Sequence, residues 1–145
     1  MKILKTSLLF LFASIAVQAQ DLRMDEVPAS LISTFQKEFT NVNDVEWEKD
    51  MENYKVEFEV DRKDYDVWYA TNGQEVKRKV EISSSELPSA VSNVIKKNYA
   101  DFSIDDVDMI KKGNDITYEI DLETFTKELE ITVDKNGKVL SEIED

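Results

Sequence analysis

Tyr54-Lys55-Val56-Glu57-Phe58-Glu59-Val60, followed by Tyr65-Asp66-Val67-Trp68-Tyr69 and the pair Asn72-Gly73, decides the fold. In the first segment Tyr54, Val56, Phe58 and Val60 point one way while Lys55, Glu57 and Glu59 point the other. That period of two belongs to a strand with one apolar face. Asp61-Arg62-Lys63-Asp64 is a polar turn, after which Tyr65, Val67 and Tyr69 resume the apolar face. Asn72-Gly73 supplies the positive φ values of a type I′ hairpin. Val76, Val80 and Ile82 then form a return strand, although Lys77-Arg78-Lys79 interrupts its alternation. This basic run reads as decoration of an edge strand, where lysines discourage sheet-to-sheet pairing; the sharper alternative is that it steers an acidic partner.

Upstream, residues 20–26 are a polar lead-in, and Pro28 opens a helix because its fixed φ suits the first helical position. Leu31, Ile32, Phe35, Phe39 and Val42 follow at helical spacing and make an amphipathic stripe. Val45 and Trp47 alternate with acids in a short strand, which places Trp47 in the core. The stripe and the apolar sheet face should pack together.

Downstream, after the polar linker Ser83-Ser84-Ser85, the pattern restarts. Leu87-Pro88 matches Val27-Pro28 sixty positions later, and Val91, Val94, Ile95 and Tyr99 restate the helical stripe. Val107 and Met109 form the short strand, and Ile116, Tyr118, Ile120 and Leu122 match Tyr54 to Val60 at an offset of 62. Leu129 and Ile131 match Val67 and Tyr69, Asn136-Gly137 matches Asn72-Gly73, and Val139, Leu140 and Ile143 close the last strand. The offsets drift only at turns, which tolerate insertion. The expected fold class is therefore α+β: a tandem duplication, over 20–83 and 84–145, of one helix on a four-stranded antiparallel sheet. The eight strands could run as one continuous sheet or as two abutting ones.

Val27-Pro28, Tyr54 to Phe58, Tyr65 to Tyr69 and Asn72-Gly73 together resemble the PepSY-like family, small exported bacterial proteins also described as beta-lactamase-inhibitor-like. Both halves fit, so the resemblance covers nearly all of residues 24–145. It implies a tandem α/β repeat, a periplasmic or secreted home, and a role in binding or inhibiting other proteins. It brings no catalytic residues, and inhibition of a beta-lactamase does not follow from fold alone.

The first nineteen of the 145 residues read as a signal peptide. Lys2 and Lys5 form a positive n-region, Leu8 to Val17 an apolar core, and Val17-Gln18-Ala19 a small-x-small cleavage site. The apolar run is shorter than the twenty or so residues that span a bilayer, so a soluble protein beginning at Gln20 is expected. Cleavage removes two lysines and no acid, taking the net charge from −13 to −15. Such a charge repels nucleic acid and anionic lipid; it would favour a basic protein partner or weakly held divalent cations, and solubility alone is the plainer reading. With no Cys and no His, disulfides, most transition-metal sites, Ser-His-Asp triads and thiol chemistry are excluded. No cofactor is implied.

Trp68 is the leading candidate for binding. It falls out of phase with Tyr65, Val67 and Tyr69, on the polar face with Asp64, Asp66 and Ala70. An exposed Trp there would be an interface anchor; the bland alternative is that a neighbour covers it. The carboxylates Asp61, Asp64 and Asp66, and likewise Asp101, Asp105, Asp106 and Asp108, offer oxygen ligands of the kind calcium prefers. Neither group has an EF-hand pattern, and Asp134-Lys135-Asn136-Gly137 lacks the terminal Glu of that loop, so solvated turns are the plainer reading. Carboxylate pairs serve glycoside hydrolysis only in a cleft that desolvates one acid. No nucleophile and base can be nominated here, and the expectation is a non-catalytic binding module. A small-ligand or cation-binding protein is the alternative.

Overall fold

The alternation that marks Asn53–Val60 builds the centre of an antiparallel sheet, described here in a computed structural model of residues 20–144. The expected signal segment lies outside the described residues. The strands are β1 (Gln20–Leu22), β2 (Asn43–Asp50), β3 (Asn53–Val60), β4 (Lys63–Tyr69), β5 (Glu75–Glu81), β6 (Ser103–Lys112), β7 (Asp115–Glu123), β8 (Glu128–Asp134) and β9 (Val139–Glu144). They lie side by side in chain order in one sheet, and every neighbouring pair is antiparallel. Helices α1 (Ala29–Glu38) and α2 (Ser89–Asn98) precede β2 and β6.

The succession of a 3-10 turn, a helix and four strands thus occurs twice. The strand count departs from expectation in one respect: nine strands form one continuous sheet. Gln20–Leu22, expected as a lead-in, pairs with Lys49, Glu48 and Trp47 and so covers part of the edge of β2. The Ser83-Ser84-Ser85 linker is likewise ordered. Ser83 N–H donates to the Glu86 carboxylate at 2.9 Å, as Arg23 N–H does to Glu26 at 2.8 Å sixty residues earlier. Each carboxylate satisfies a backbone donor that the turn would otherwise leave open.

Both helices cover the same side of the sheet. Leu31 and Phe35 of α1 pack with Trp47, Val56, Phe58, Val67 and Tyr69. Val91 and Ile95 of α2 pack with Val107, Ile120, Leu122, Ile131 and Val133. The cross-strand pairs Tyr65–Val80 and Val80–Met109 carry the apolar face from one cluster to the other without changing sides. Because successive side chains alternate, the intervening residues of all these strands share the opposite face, which carries neither helix.

Lys77-Arg78-Lys79 does not decorate an edge, because β5 pairs with β4 on one side and β6 on the other. The run follows ordinary alternation. Lys77 and Lys79 stand on the helix-free face, while Arg78 sits on the helix side, ion-paired to Glu38 and Glu75 and stacked over Phe39 at 4.9 Å. The register shift between Trp68 and Tyr69 leaves Val76 as a bulged residue, partly exposed at 36%.

Candidate functional site

The helix-free face is built from the polar phase of each strand. Strand pairs in register set Lys55 beside Trp68 and Trp68 beside Lys77. Trp68 lies on this face, as its phase predicted, but it is not exposed. Only 8% of its surface remains accessible. Its Nε1–H donates to Asp50 Oδ2 at 2.7 Å, and the Lys77 and Lys55 ammonium groups lie 4.1 and 5.3 Å from its ring. Trp68 is thus roofed by two cations lying over its ring face. Ile110, 8% accessible and directly opposite Lys79, is the second apolar side chain buried on this face.

The two lysines beside Trp68 differ electrostatically. Burial opposes the charge on Lys55, but hydrogen bonds to Glu57 and Glu48 and the nearby Asp66 outweigh it and hold its pKa up. For Lys77 burial dominates, Lys112 and Lys79 add repulsion, and its pKa falls. The region of Trp68, Lys77, Ile110 and Lys112 is therefore a patch of aliphatic stems and ammonium groups.

Toward the other end of the strands the face turns acidic. Cross-strand register places Glu57 opposite Asp66 and Glu59 opposite Asp64 in the N-terminal half. In the C-terminal half Asp106 faces Asp121 and Glu123 faces Glu128. At the junction Glu81 faces Asp108, which pairs with Lys79 at 2.6 Å. Burial, reinforced by neighbouring acids, raises the pKa of Glu81 and Asp121. Burial also raises that of Asp66, although Lys55 pulls the other way. Two shallow hollows open here: one lined by Asp44, Glu46, Glu57, Glu59, Asp64 and Asp66, the other by Asp105, Asp121, Glu123, Glu128 and Glu130. Among the described residues no group of three or more side chains is arranged to hold a metal ion.

Trp68, Asp64 and Asp66 are thus brought onto one face of β4, with Asp64 exposed and Asp66 half-buried. Asp61 is separated from them at the β3–β4 turn, where Asp61 and Arg62 take φ of +51° and +64°. Trp47 is core as expected, 4% accessible; its Nε1 and the Tyr69 hydroxyl are buried without a hydrogen-bond partner. Burial and the nearby Glu38 push the Tyr69 hydroxyl up to about 12. Two features escaped sequence reasoning. One is the lysine roof, which depends on cross-strand partners. The other is Phe125, wholly exposed at the β7–β8 turn; an aromatic between two threonines in a polar loop was its only signal.

Comparison with known proteins agrees with the architecture. The profile of the family described as "Putative beta-lactamase-inhibitor-like, PepSY-like" matches residues 13–74 and again 52–141. A DUF2874 family protein from Bacteroides uniformis superposes with a TM-score of 0.73 at 18% identity, covering 81% of this chain and 89% of its own. A second DUF2874 family protein, from Bacteroides ovatus, gives 0.70 at 23% identity, with 81% and 86% covered. A BLIP-like protein from Bacteroides fragilis gives 0.67 at 21%, with 81% and 85% covered. No curated protein matches the chain. No helix among the described residues is long and apolar enough to cross a membrane. With its profile matched twice, over most of the described residues, the chain belongs to the PepSY-like family.

Proposed function

We propose that this protein is a non-catalytic, exported binding module that receives a basic protein surface, as an inhibitor would, on the helix-free face of its sheet. One observation carries the reading: acids are set directly opposite acids across neighbouring strands, as in Glu59–Asp64 and Asp106–Asp121. Like charges in such pairs destabilise a sheet, so this arrangement works against stability and favours a cationic partner. Asp64 and Asp66 belong to that acidic surface. Trp68 serves as the rigid floor beside it, held by Asp50 and roofed by Lys55 and Lys77. Cleavage after Ala19 would deliver the module outside the cytoplasm, which the intact mass of the exported chain checks.

The test uses the chain from Gln20 onward, immobilised and exposed to the exported proteins of the producing bacterium at low and high salt. Retention of a protein that is lost at high salt, and lost when Glu59 and Asp64 are both changed to Lys, supports the reading. Exposed charges are screened within about 10 Å at 0.1 M salt, so retention indifferent to salt and to both substitutions sinks it. Calcium added alone should leave the melting temperature no higher than magnesium does; a calcium-specific rise would favour the cation-binding alternative.

A further inference from the structure

We infer that the β7–β8 hairpin is a docking finger, with Phe125 inserting into an apolar pocket of a partner protein whose rim is basic. The inference rests on the binding-module reading and adds to it an anchor residue and the partner's shape. Phe125 is fully exposed, unlike the half-covered Leu140 and Ile143, which are ordinary for a surface. The turn that carries it is ordered. Thr124 N–H donates to the Lys127 carbonyl at 2.8 Å, the Lys127 and Thr126 N–H groups donate to Thr124 Oγ1 at 3.0 and 3.3 Å, and Lys127 Nζ lies 2.9 Å from Glu144. Because the backbone of the turn is already fixed, its share of the ordering cost is met before binding, which raises affinity. The corresponding β3–β4 connection is the tight Asp61-Arg62 turn and presents no aromatic, so the finger is not a requirement of the fold. Partner chemistry follows from the surroundings. Glu123 and Glu128 form the last strand pair below the tip, and Asp105 and Asp121 line the adjoining hollow. A pocket accepting the ring must therefore meet carboxylates at its rim.

The experiment compares the wild-type chain, Phe125→Ser, Phe125→Trp and the Glu59→Lys/Asp64→Lys double variant for affinity toward whatever exported protein the wild type retains. Melting of Phe125→Ser should match wild type, because the ring is wholly in solvent. Phe125→Ser should weaken binding by about thirtyfold or more, the factor expected of an interface anchor, while Phe125→Trp should preserve it. Phe125→Ser binding as tightly as wild type overturns the finger. If the double lysine variant alone fails to bind, the sheet-face reading stands without the finger. If all four chains bind alike, or no protein is retained, both fail.

Discussion

The two halves of the sheet have the same order of elements and different interiors. Around α1 the core is aromatic: Phe58 lies 4.9 Å from Phe35, 4.6 Å from Phe39 and 5.2 Å from Tyr65. Trp47 meets both Phe35 and Tyr69. Around α2 the central positions are aliphatic, with Ile95 for Phe35, Val107 for Trp47 and Ile120 for Phe58, while Tyr99 keeps an aromatic in the place of Phe39 and meets Phe102. The backbone pattern is therefore indifferent to which apolar residue fills it, provided its phase and volume suit. What the filling changes is the source of stability. Edge-to-face and offset rings add about 0.5–1.5 kcal/mol per pair beyond their buried area; branched aliphatics contribute by area and close packing alone.

Phe58→Ala against Ile120→Ala measures that difference most directly. Loss of a buried Phe costs about 3–5 kcal/mol and of a buried Ile about 2–5; the three ring contacts of Phe58 should place it at the upper end. Urea denaturation of both variants checks this. Equal losses would mean that the ring contacts add nothing to burial and would break the contrast.

The next difference lies at the two Asn-Gly turns. Only the glycines of these pairs have positive φ, +89° at Gly73 and +88° at Gly137. Neither is therefore the expected type I′ turn, whose two positive φ values occur at Asp61-Arg62 instead. A side chain at either glycine costs about 1–2 kcal/mol. A Cβ at Gly73 would rest at 3.8 Å from Leu31 and Thr34, ordinary contact distance. At Gly137 it would lie 2.7 Å from the Ala90 carbonyl oxygen, which is backbone of α2 and cannot swing aside. Overpacking adds about 1–3 kcal/mol there. Gly137→Ala should therefore melt well below Gly73→Ala. If the two melt together, α2 moves more easily on its sheet than this close approach indicates.

Sequence reading reached the parts of the fold that repeat with a fixed period. The phase of Val56, Phe58, Ile120 and Leu122, the helical stripes from Leu31 to Phe35 and from Val91 to Ile95, and the core position of Trp47 were legible from period alone. Val42, expected on the first stripe, lies instead beyond the end of α1 at Glu38. The three residues of β1 were not legible, since nothing in Gln20-Asp21-Leu22 distinguishes a strand from a loop until the open edge of β2 offers it partners. Ser83 to Glu86 reads as a polar linker by composition, although Ser83 and Glu86 stand at capping-box spacing and form an ordered 3-10 turn. The basic run misled because Arg78 interrupts the apolar phase of Val76, Val80 and Ile82 in sequence. In the sheet, however, it is ion-paired to Glu38 and Glu75 over Phe39, while Lys77 and Lys79 lie on the face that contains Trp68 and Ile110. Trp68 shows the same limit: its side of the sheet followed from its own strand, whereas its burial depends on Lys55 and Lys77 from the neighbouring strands.

The smallest expected effect separates the two halves by charge. In the first, Asp66 has Lys55 at 3.5 Å to offset its burial and the nearby Glu57. In the second, Asp121 is flanked by Asp106, Glu119 and Asp108, each of which outweighs the opposing pull of Lys79. Both carboxylates, with Glu81, have folded pKa values above their ordinary ones. A group of this kind binds more protons folded than unfolded, so its contribution to stability is complete below the unfolded pKa and is lost as pH rises through the folded one. Stability should accordingly increase as pH is lowered from 7 toward about 5, just above the ordinary carboxylate range. Asp121→Asn should raise stability at pH 7 more than Asp66→Asn, by about a few tenths of a kcal/mol once solvent screening is allowed for, and should flatten part of the gain on acidification. Urea midpoints at pH 7 and pH 5 for the three chains decide it. If Asp66→Asn stabilises more than Asp121→Asn, Lys55 does not relieve its neighbours as its position implies, and the two acidic hollows are electrostatically alike.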